Sequence, residues 1–280
     1  MLFRRLFLCA LLVGVCSGLL HAALQRWQVV PLIAAAEVYE SAAEAPAMPA
    51  HGEADAALVA AHEHEHEHEH EHDHDADEWQ PADGLERTGW TIVANILAAT
   101  GYALLLIPML ALWDRSRGGA VASWKTGLAW GLCAWLATFA LPGLGLPPEL
   151  PGVGAAALRS RQAWWLLTVV CSGAGLAALM LARRNLWAWR CIGVVLLAVP
   201  FVVGAPQPEV DGFSAFSGDA AVQMHLLSTQ FVRATALATA LYWLSLGALS
   251  AVVMARWVRP LVGTFGLGGK TVSPVAERAL

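Results

Sequence analysis

The sequence predicts an all-α polytopic membrane protein with about six transmembrane helices and a disordered, histidine- and glutamate-rich extracytoplasmic loop. Two observations carry this prediction. Of the 280 residues, 57% are hydrophobic and only 14% are charged, a composition that does not fit a soluble domain. The chain also contains six apolar runs of roughly 19 to 25 residues, the length that a helix needs to cross the hydrocarbon core of a bilayer.

The first apolar run, residues 6–24, follows two arginines. A cleaved signal peptide is the alternative interpretation of this run. A retained span is favoured because the run is longer than a usual signal core, and because Gly14 and Gly18 form a small-residue face for close helix packing. The next segment, 26–40, is expected either to lie along the outer membrane interface or to prolong the first helix.

Residues 41–87 have almost no large apolar side chains and cannot form a core, so this loop is expected to be disordered without metal. Five more apolar runs follow at 90–113, 124–146, 163–182, 186–204 and 231–255. In the second of these, Gly127 and Gly131 repeat the small-residue spacing. Four parts are expected: an N-terminal transmembrane helix with an interfacial segment (1–40), the metal-attracting loop (41–87), a five-helix transmembrane bundle (88–258) and a cytoplasmic tail (259–280).

The charges are distributed unevenly. Residues 51–87 hold thirteen of the 22 acidic residues and one of the 17 basic residues, so the rest of the chain has a formal charge of +7. The bases flank apolar runs, as orienting charges do in membrane proteins, and do not indicate a nucleic-acid surface. With the N-terminus inside, twelve bases lie on the cytoplasmic side and five outside. This asymmetry predicts a multi-pass protein of the inner (cytoplasmic) membrane, with both termini cytoplasmic and the histidine-rich loop extracytoplasmic.

The most informative segment is the histidine stretch, residues 62–75, which reads HEHEHEHEHEHDHD. It holds seven of the ten histidines: His62, His64, His66, His68, His70, His72 and His74. Imidazole is the commonest protein ligand for cobalt, nickel, zinc and copper, and the interleaved carboxylates attract cations. The stretch is therefore expected to bind divalent metals weakly, exchangeably and with little selectivity. The alternative is a solvated low-complexity segment without a selected role.

The zinc-protease motif HExxH occurs five times in overlapping positions within the histidine stretch. Overlapping matches indicate a repeat, because a protease needs the motif on one packed helix beside a shielded cavity. Elsewhere the sequence contains no recognisable nucleophile and no closed metal triad. The protein is therefore not expected to be an enzyme or to hold a prosthetic group.

Four further residues are candidate metal ligands. Glu149 lies in GLGLPPELPG (143–152), where three prolines stiffen the backbone around its carboxylate. Glu209 and His225 precede the last span, and His21 lies near the end of the first. The predicted topology places all four on the outer side, where together they are expected to form the mouth of a pathway. The alternatives are a rigid chain reversal with a solvated Glu149, and a His225 that is only a surface residue.

Polar residues inside the spans are scarce. Asn95, Thr100, Tyr102 and Gln230 are too few to define a route, whereas an intramembrane metal site is normally marked by buried ionisable groups. This scarcity argues against a transporter that works without a partner.

Three stretches carry a resemblance to a known family: RWQVVPLI to EVYE (26–40), GLPPELPG (145–152) and RQAWW (161–165). With the histidine-rich loop between the first two, they resemble the CbtA family of probable cobalt transporter subunits. The resemblance implies a small single-span partner subunit, CbtB, and an association with cobalamin biosynthesis. The family is described with five spans, whereas the hydropathy pattern gives six.

The leading hypothesis is a membrane subunit of a divalent metal importer, with cobalt as the favoured ion and nickel or zinc as alternatives. The histidine stretch would capture the ion outside, and the helix bundle, with membrane lipid around it and a CbtB-like subunit beside it, would pass it inward. The alternative from a different class is a membrane-anchored metal buffer or sensor without transport activity.

Overall fold

The structure, a computed structural model, describes residues 2–44, 81–82, 84–119, 122–181 and 187–260. The histidine stretch lies outside these residues. The regular structure of the described residues is helical throughout, with eight α-helices: α1 (Leu2–Leu24), α2 (Val30–Glu44), α3 (Leu85–Ser116), α4 (Trp124–Trp135), α5 (Leu141–Gly145), α6 (Leu158–Leu181), α7 (Trp187–Val203) and α8 (Gly218–Val253). Three π-helical turns, Gln25–Val29, Leu136–Ala140 and Met254–Val258, continue α1, α4 and α8.

Within the described residues, five helical rods are long and apolar enough to cross a membrane: Phe3–Ala43, Leu85–Ser116, Trp124–Gly145, Leu158–Met180 and Gly218–Val258. The remaining predicted run forms α7, a shorter apolar helix of 17 residues. The predicted all-α polytopic class is therefore confirmed, and the difference between five and six spans depends on α7. The segment 26–40 prolongs the first helix, because α1, its π-turn and α2 form one rod of 41 residues.

Each π-helical turn precedes a proline. Pro31, Pro142 and Pro260 each stand two residues beyond the end of one of these turns. Proline has no N–H for the carbonyl four residues earlier, and its ring crowds that carbonyl. Widening the preceding turn accommodates the ring while the helix continues. Pro108 and Pro200, by contrast, lie inside α3 and α7, which stay α-helical around them.

The predicted packing face on α1 is confirmed. A Cβ atom on Gly14 would overlap the hydroxyl of Thr100, and one on Gly18 would lie 2.7 Å from the Cα atom of Ile96. Only glycine allows the backbones of α1 and α3 to approach this closely.

The second predicted face, on α4, is also confirmed. A Cβ atom on Gly127 would overlap the carbonyl of Gly247 and lie 2.7 Å from the Cβ atom of Ala251. One on Gly131 would overlap the carbonyl of Trp243. These contacts seat α4 directly on α8, which also packs against α1 and α3 and so lies at the centre of the bundle.

The rods containing α1 and α8 run antiparallel. The start of α1 shares a hydrophobic core with Met254 and Val258, whereas α2 shares another core with Met224 and Phe231. We call the end with Met254 and Val258 the Asp114 end, because Asp114 of α3 contacts Arg259 there. The end with α2 is the Glu149 end, because Leu150, next to Glu149, belongs to its core. Each 41-residue rod is about 60 Å long, twice the hydrocarbon thickness of about 30 Å. Since α4 packs on the part of α8 nearer the Asp114 end, the extra length projects at the Glu149 end.

The helices α6 and α7 form a pair at the side of the bundle. Trp164 of α6 is buried and donates its indole N–H to the carbonyl of Pro200 in α7, at 3.1 Å. A Cβ atom on Gly175 would lie 2.8 Å from the carbonyl oxygen of Gly193, so the two helices meet closely through glycine. The pair contacts the rest of the bundle mainly through α5 and the π-turn before it.

Candidate functional site

An ion pair joins two of the stretches that carry the family resemblance. A guanidinium nitrogen of Arg161, from RQAWW, lies 2.7 Å from the carboxylate of Glu149, from GLPPELPG. Both side chains are partly exposed. The carboxylate of Glu149 is therefore held by a cation, and a metal ion would have to displace that cation to bind there.

The third stretch packs under the same loop. Leu150 is buried in a cluster with Phe216 and the α2 residue Ala36. Gly152 has a φ of +75°, and a Cβ atom there would lie 3.1 Å from the Cβ atom of Glu40 and from the ring of Phe216. The positive φ and the close approach both favour glycine. The GLPPELPG loop is thus fixed between α2, α6 and the segment before α8.

The outer residues Glu209 and His225 lie at the Glu149 end and are exposed. The ring of His225, in the second turn of α8, stacks on Phe213 with centroids 3.9 Å apart. The Asp211 carboxylate accepts the backbone N–H of Phe213 at 3.1 Å. The segment that carries Glu209 and Asp211 is therefore anchored beside His225.

His21 lies in the interior of the bundle and not at its mouth. Its side chain is 8% exposed, and its ring lies 4.6 Å, centroid to centroid, from the ring of Tyr242. Tyr242 follows His225 by 17 residues in the same helix, so His21 and His225 are roughly 25 Å apart.

The four candidate ligands outside the histidine stretch do not converge. In the described part of the chain, no group of three or more His, Cys, Asp or Glu side chains could hold a metal ion. The structure thus does not bring His21, Glu149, Glu209 and His225 together into one mouth. His21 is buried well below the other three, and Glu149 is engaged by Arg161. The seven histidines of the histidine stretch, outside the described residues, remain a prediction.

A set of unpartnered polar groups on α1, its π-turn and α8, called here the row of unpartnered polar groups, was not predicted. Among the described residues, seven enclosed side-chain atoms have no hydrogen-bond partner, and five of them lie on α1, its π-turn and α8. These five are Ser17 Oγ, His21 Nδ1, Gln28 Oε1, Thr235 Oγ1 and Ser250 Oγ. An enclosed polar group without a partner costs about 1–3 kcal/mol, so such a concentration needs a reason.

The unpartnered groups fall at related levels in the membrane. Ser17 and His21 are four residues apart on one face of α1. Gln28 lies seven residues beyond His21, and Thr235 lies seven residues before Tyr242 in the antiparallel α8. Because His21 packs on Tyr242, Gln28 and Thr235 stand at the same height. The spacing of Ser17 and His21 was visible in the sequence, but the facing residues depend on which helices meet.

Comparison with known proteins gives one match. Neither a curated protein nor a solved structure matches the chain. A family model described as "Probable cobalt transporter subunit (CbtA)" matches residues 3–255, most of the chain. That description is of a transporter subunit and not of an enzyme. With five rods of membrane-spanning length and this match, the chain is a multi-pass membrane protein that belongs to the CbtA family of probable cobalt transporter subunits.

Proposed function

We propose that the protein is the helix-bundle subunit of a divalent metal importer in the inner membrane and that cobalt is the ion it carries. Both termini are cytoplasmic, so the Asp114 end faces inward and the Glu149 end faces outward. The observation that carries this proposal is the family match over residues 3–255, which includes the helix bundle and the histidine stretch together.

The histidine stretch serves as the capture device. Its seven imidazoles bind transition metals, and its seven carboxylates raise the local concentration of cations. Weak and exchangeable binding suits the hand-over of an ion. The acceptors are the exposed Glu209 and His225 at the outward end of the bundle, beside Asp211.

The membrane potential favours inward movement of the ion. Each charge gains about 2.3 kcal/mol per 100 mV, hence about 4.6 kcal/mol for a divalent cation. Nucleotide hydrolysis is not needed for the direction of transport. A single-span CbtB-like subunit completes the path, since this chain alone offers few ionisable groups within its spans.

The test is uptake of radioactive cobalt by cells that lack other cobalt importers. The chain is expressed alone and with its single-span partner, and nickel and zinc are added as competitors. We expect radioactive cobalt to accumulate only when the partner is present. Unlabelled cobalt should reduce this accumulation more than nickel or zinc does. Absence of accumulation in both cases, with the protein shown to be in the membrane, would refute the importer.

Two variants of the histidine stretch test capture. Replacing its seven histidines with glutamine should lower uptake at low cobalt and leave the maximal rate intact, because only the local ion supply changes. A second variant replaces the seven acidic residues of the same stretch with their amides and keeps the histidines, and it should lower uptake at low cobalt less, because the ligands themselves remain. If the histidine variant takes up low cobalt as well as the wild type does, the stretch has no role in capture.

The second candidate is a membrane-anchored metal buffer or sensor. It is favoured by the absence of any group of three or more metal-ligating side chains among the described residues. A buffer would lose all function with the seven histidines, whereas an importer would lose only efficiency. The multiple spans favour the importer, because an anchor needs one.

A further inference from the structure

We propose that His21 binds the transported transition-metal ion inside the membrane, and that the ion moves between α1 and α8 along the row of unpartnered polar groups. This inference rests on the proposed function and names the site through which it operates. It places the role of His21 inside the membrane, part of the way along the route of the ion, and not at the outer mouth.

The depth of His21 supports this assignment. His21 follows Arg5, at the Asp114 end of α1, by 16 residues, or roughly 24 Å of helix. It therefore lies within the hydrocarbon thickness of about 30 Å, near its outer side. An ionisable side chain at this depth, buried against another helix, is characteristic of ion pathways.

The ring of His21 has one nitrogen available for a metal ion. Its Nδ1 atom is enclosed and has no hydrogen-bond partner. An imidazole nitrogen without a hydrogen-bond partner can offer its lone pair to a metal ion when the ring carries its proton on the other nitrogen. The packed ring of Tyr242 holds the His21 ring in place.

The neighbouring groups are neutral oxygen donors. Ser17 lies one turn of α1 toward the Asp114 end, and Gln28 and Thr235 lie about two turns toward the Glu149 end. Neutral donors beside one imidazole bind a divalent ion weakly. Weak binding at successive positions is what conduction requires, because the ion must leave each site as readily as it enters.

The π-turn Gln25–Val29 lies directly beside this site and packs against α8. Its first residue, Gln25, accepts a hydrogen bond from Asn95 of α3 at 2.7 Å. Turns of this kind are frequent at functional sites. Here the turn sets Gln28 into the interface on the outward side of His21, where an incoming ion would first leave water.

The test uses a protein whose only histidine is His21. Deleting residues 62–75 and replacing His51 and His225 with glutamine removes the other nine histidines. The resulting protein, otherwise unchanged, is purified into lipid nanodiscs and titrated with Co²⁺. Binding is followed by the d–d absorption of the metal. We expect one bound equivalent in this protein and its loss on His21→Gln. Equal binding with and without His21 would overturn the inference.

Three further variants keep the result independent of folding. In His21→Cys, a thiolate-to-cobalt charge-transfer band should appear, which no structural role for His21 would produce. Ser17→Ala should weaken binding several-fold, whereas Ser172→Ala, which removes another enclosed hydroxyl without a partner but from α6, should not. A cysteine variant without the band, or equal effects of the two serine changes, would contradict the site.

Uptake separates this inference from the function on which it rests. With the partner present, His21→Gln in the otherwise wild-type chain should reduce cobalt uptake at least tenfold, whereas Ser172→Ala, in α6, should leave it unchanged. If the wild type imports cobalt and His21→Gln does so equally well, the site is wrong and the importer stands. If the wild type imports nothing, the importer itself fails, whatever the nanodisc titration gives.

Discussion

The carboxylate of Asp114 accepts two hydrogen bonds from the guanidinium of Arg259, at 2.9 and 3.2 Å, across 145 residues of sequence. It also accepts the backbone N–H of Ala122 at 2.7 Å, and Arg259 donates to the carbonyl of Ala122 at 2.9 Å. Asp114 is 3% exposed. One buried carboxylate therefore ties together the end of α3, the start of α4 and the helical segment after α8.

Removing that carboxylate should destabilise the bundle. Asp114→Ala removes the carboxylate that pairs with Arg259 and accepts the N–H of Ala122, so we expect a loss of about 3 kcal/mol in the free energy of unfolding. Denaturant unfolding in detergent measures it. Arg256→Gln, which changes an exposed arginine of the same segment, is the control and should have little effect. Equal stability of Asp114→Ala and wild type would disprove the role of the pair.

Closing the gap between α4 and α8 should also destabilise the protein. In Gly127→Ala the added methyl overlaps the carbonyl of Gly247, so the helices must separate, at a cost of about 1–3 kcal/mol. Gly101→Ala is a matched control, because a Cβ atom there meets nothing within 4 Å. It should be neutral or stabilising by up to about 1 kcal/mol. Thermal unfolding of the two variants in one detergent compares them, and the same sign for both would contradict the packing.

Glu149 and Arg161 should behave as a structural pair. Each side chain is about a quarter to a third exposed, so Glu149→Gln and Arg161→Gln should each lower stability by only about 0.5–1 kcal/mol. The double variant should be no worse than either single one. Arg159→Gln, at an exposed neighbouring arginine, is the control.

The same single and double variants test the alternative role of Glu149 as a metal ligand. If its carboxylate bound the ion, Arg161→Gln would free it and tighten metal binding, while Glu149→Gln would weaken binding. Opposite changes of cobalt affinity in the two single variants would therefore replace the structural pair with a binding site.

Trp164 should matter more than its neighbour Trp165. Trp164→Phe removes the indole N–H that bonds the Pro200 carbonyl, but that carbonyl also accepts the N–H of Gly204 at 3.0 Å. The expected loss is therefore only about 1 kcal/mol. Trp164→Ala also empties a buried volume and should lose about 3–5 kcal/mol. Trp165 is 42% exposed, so Trp165→Phe should leave the stability unchanged. Comparable unfolding midpoints for Trp164→Ala and Trp165→Phe would contradict this account.

The helices and their glycine faces were predictable because their causes are local. Apolar length demands a helix that spans the membrane, and glycine at a four-residue spacing in such a helix has close packing as its main physical use. The π-turns before Pro31 and Pro142 were not predictable in the same way, because Pro108 and Pro200 lie in helices that stay α-helical.

The site was less predictable because it depends on tertiary contacts. Glu149 appeared to be a carboxylate held out for an ion, since the sequence shows stiff prolines around it but not that the loop turns it toward Arg161. His21 appeared to be an outer residue because its depth depends on the continuation of α1 into α2, and its surroundings depend on the approach of α8.

In the proposed orientation, the two long rods would set the height at which ions are received. With Phe3 at the inner edge of the hydrocarbon core, a rod of about 60 Å would end about 25 Å beyond the lipid phosphates on the other side. Phosphates of that layer themselves attract divalent cations. In the proposed orientation the end of α2, Glu44, would stand above that competing layer, so metal captured by the histidine stretch would reach the bundle from above the lipid and not along its surface.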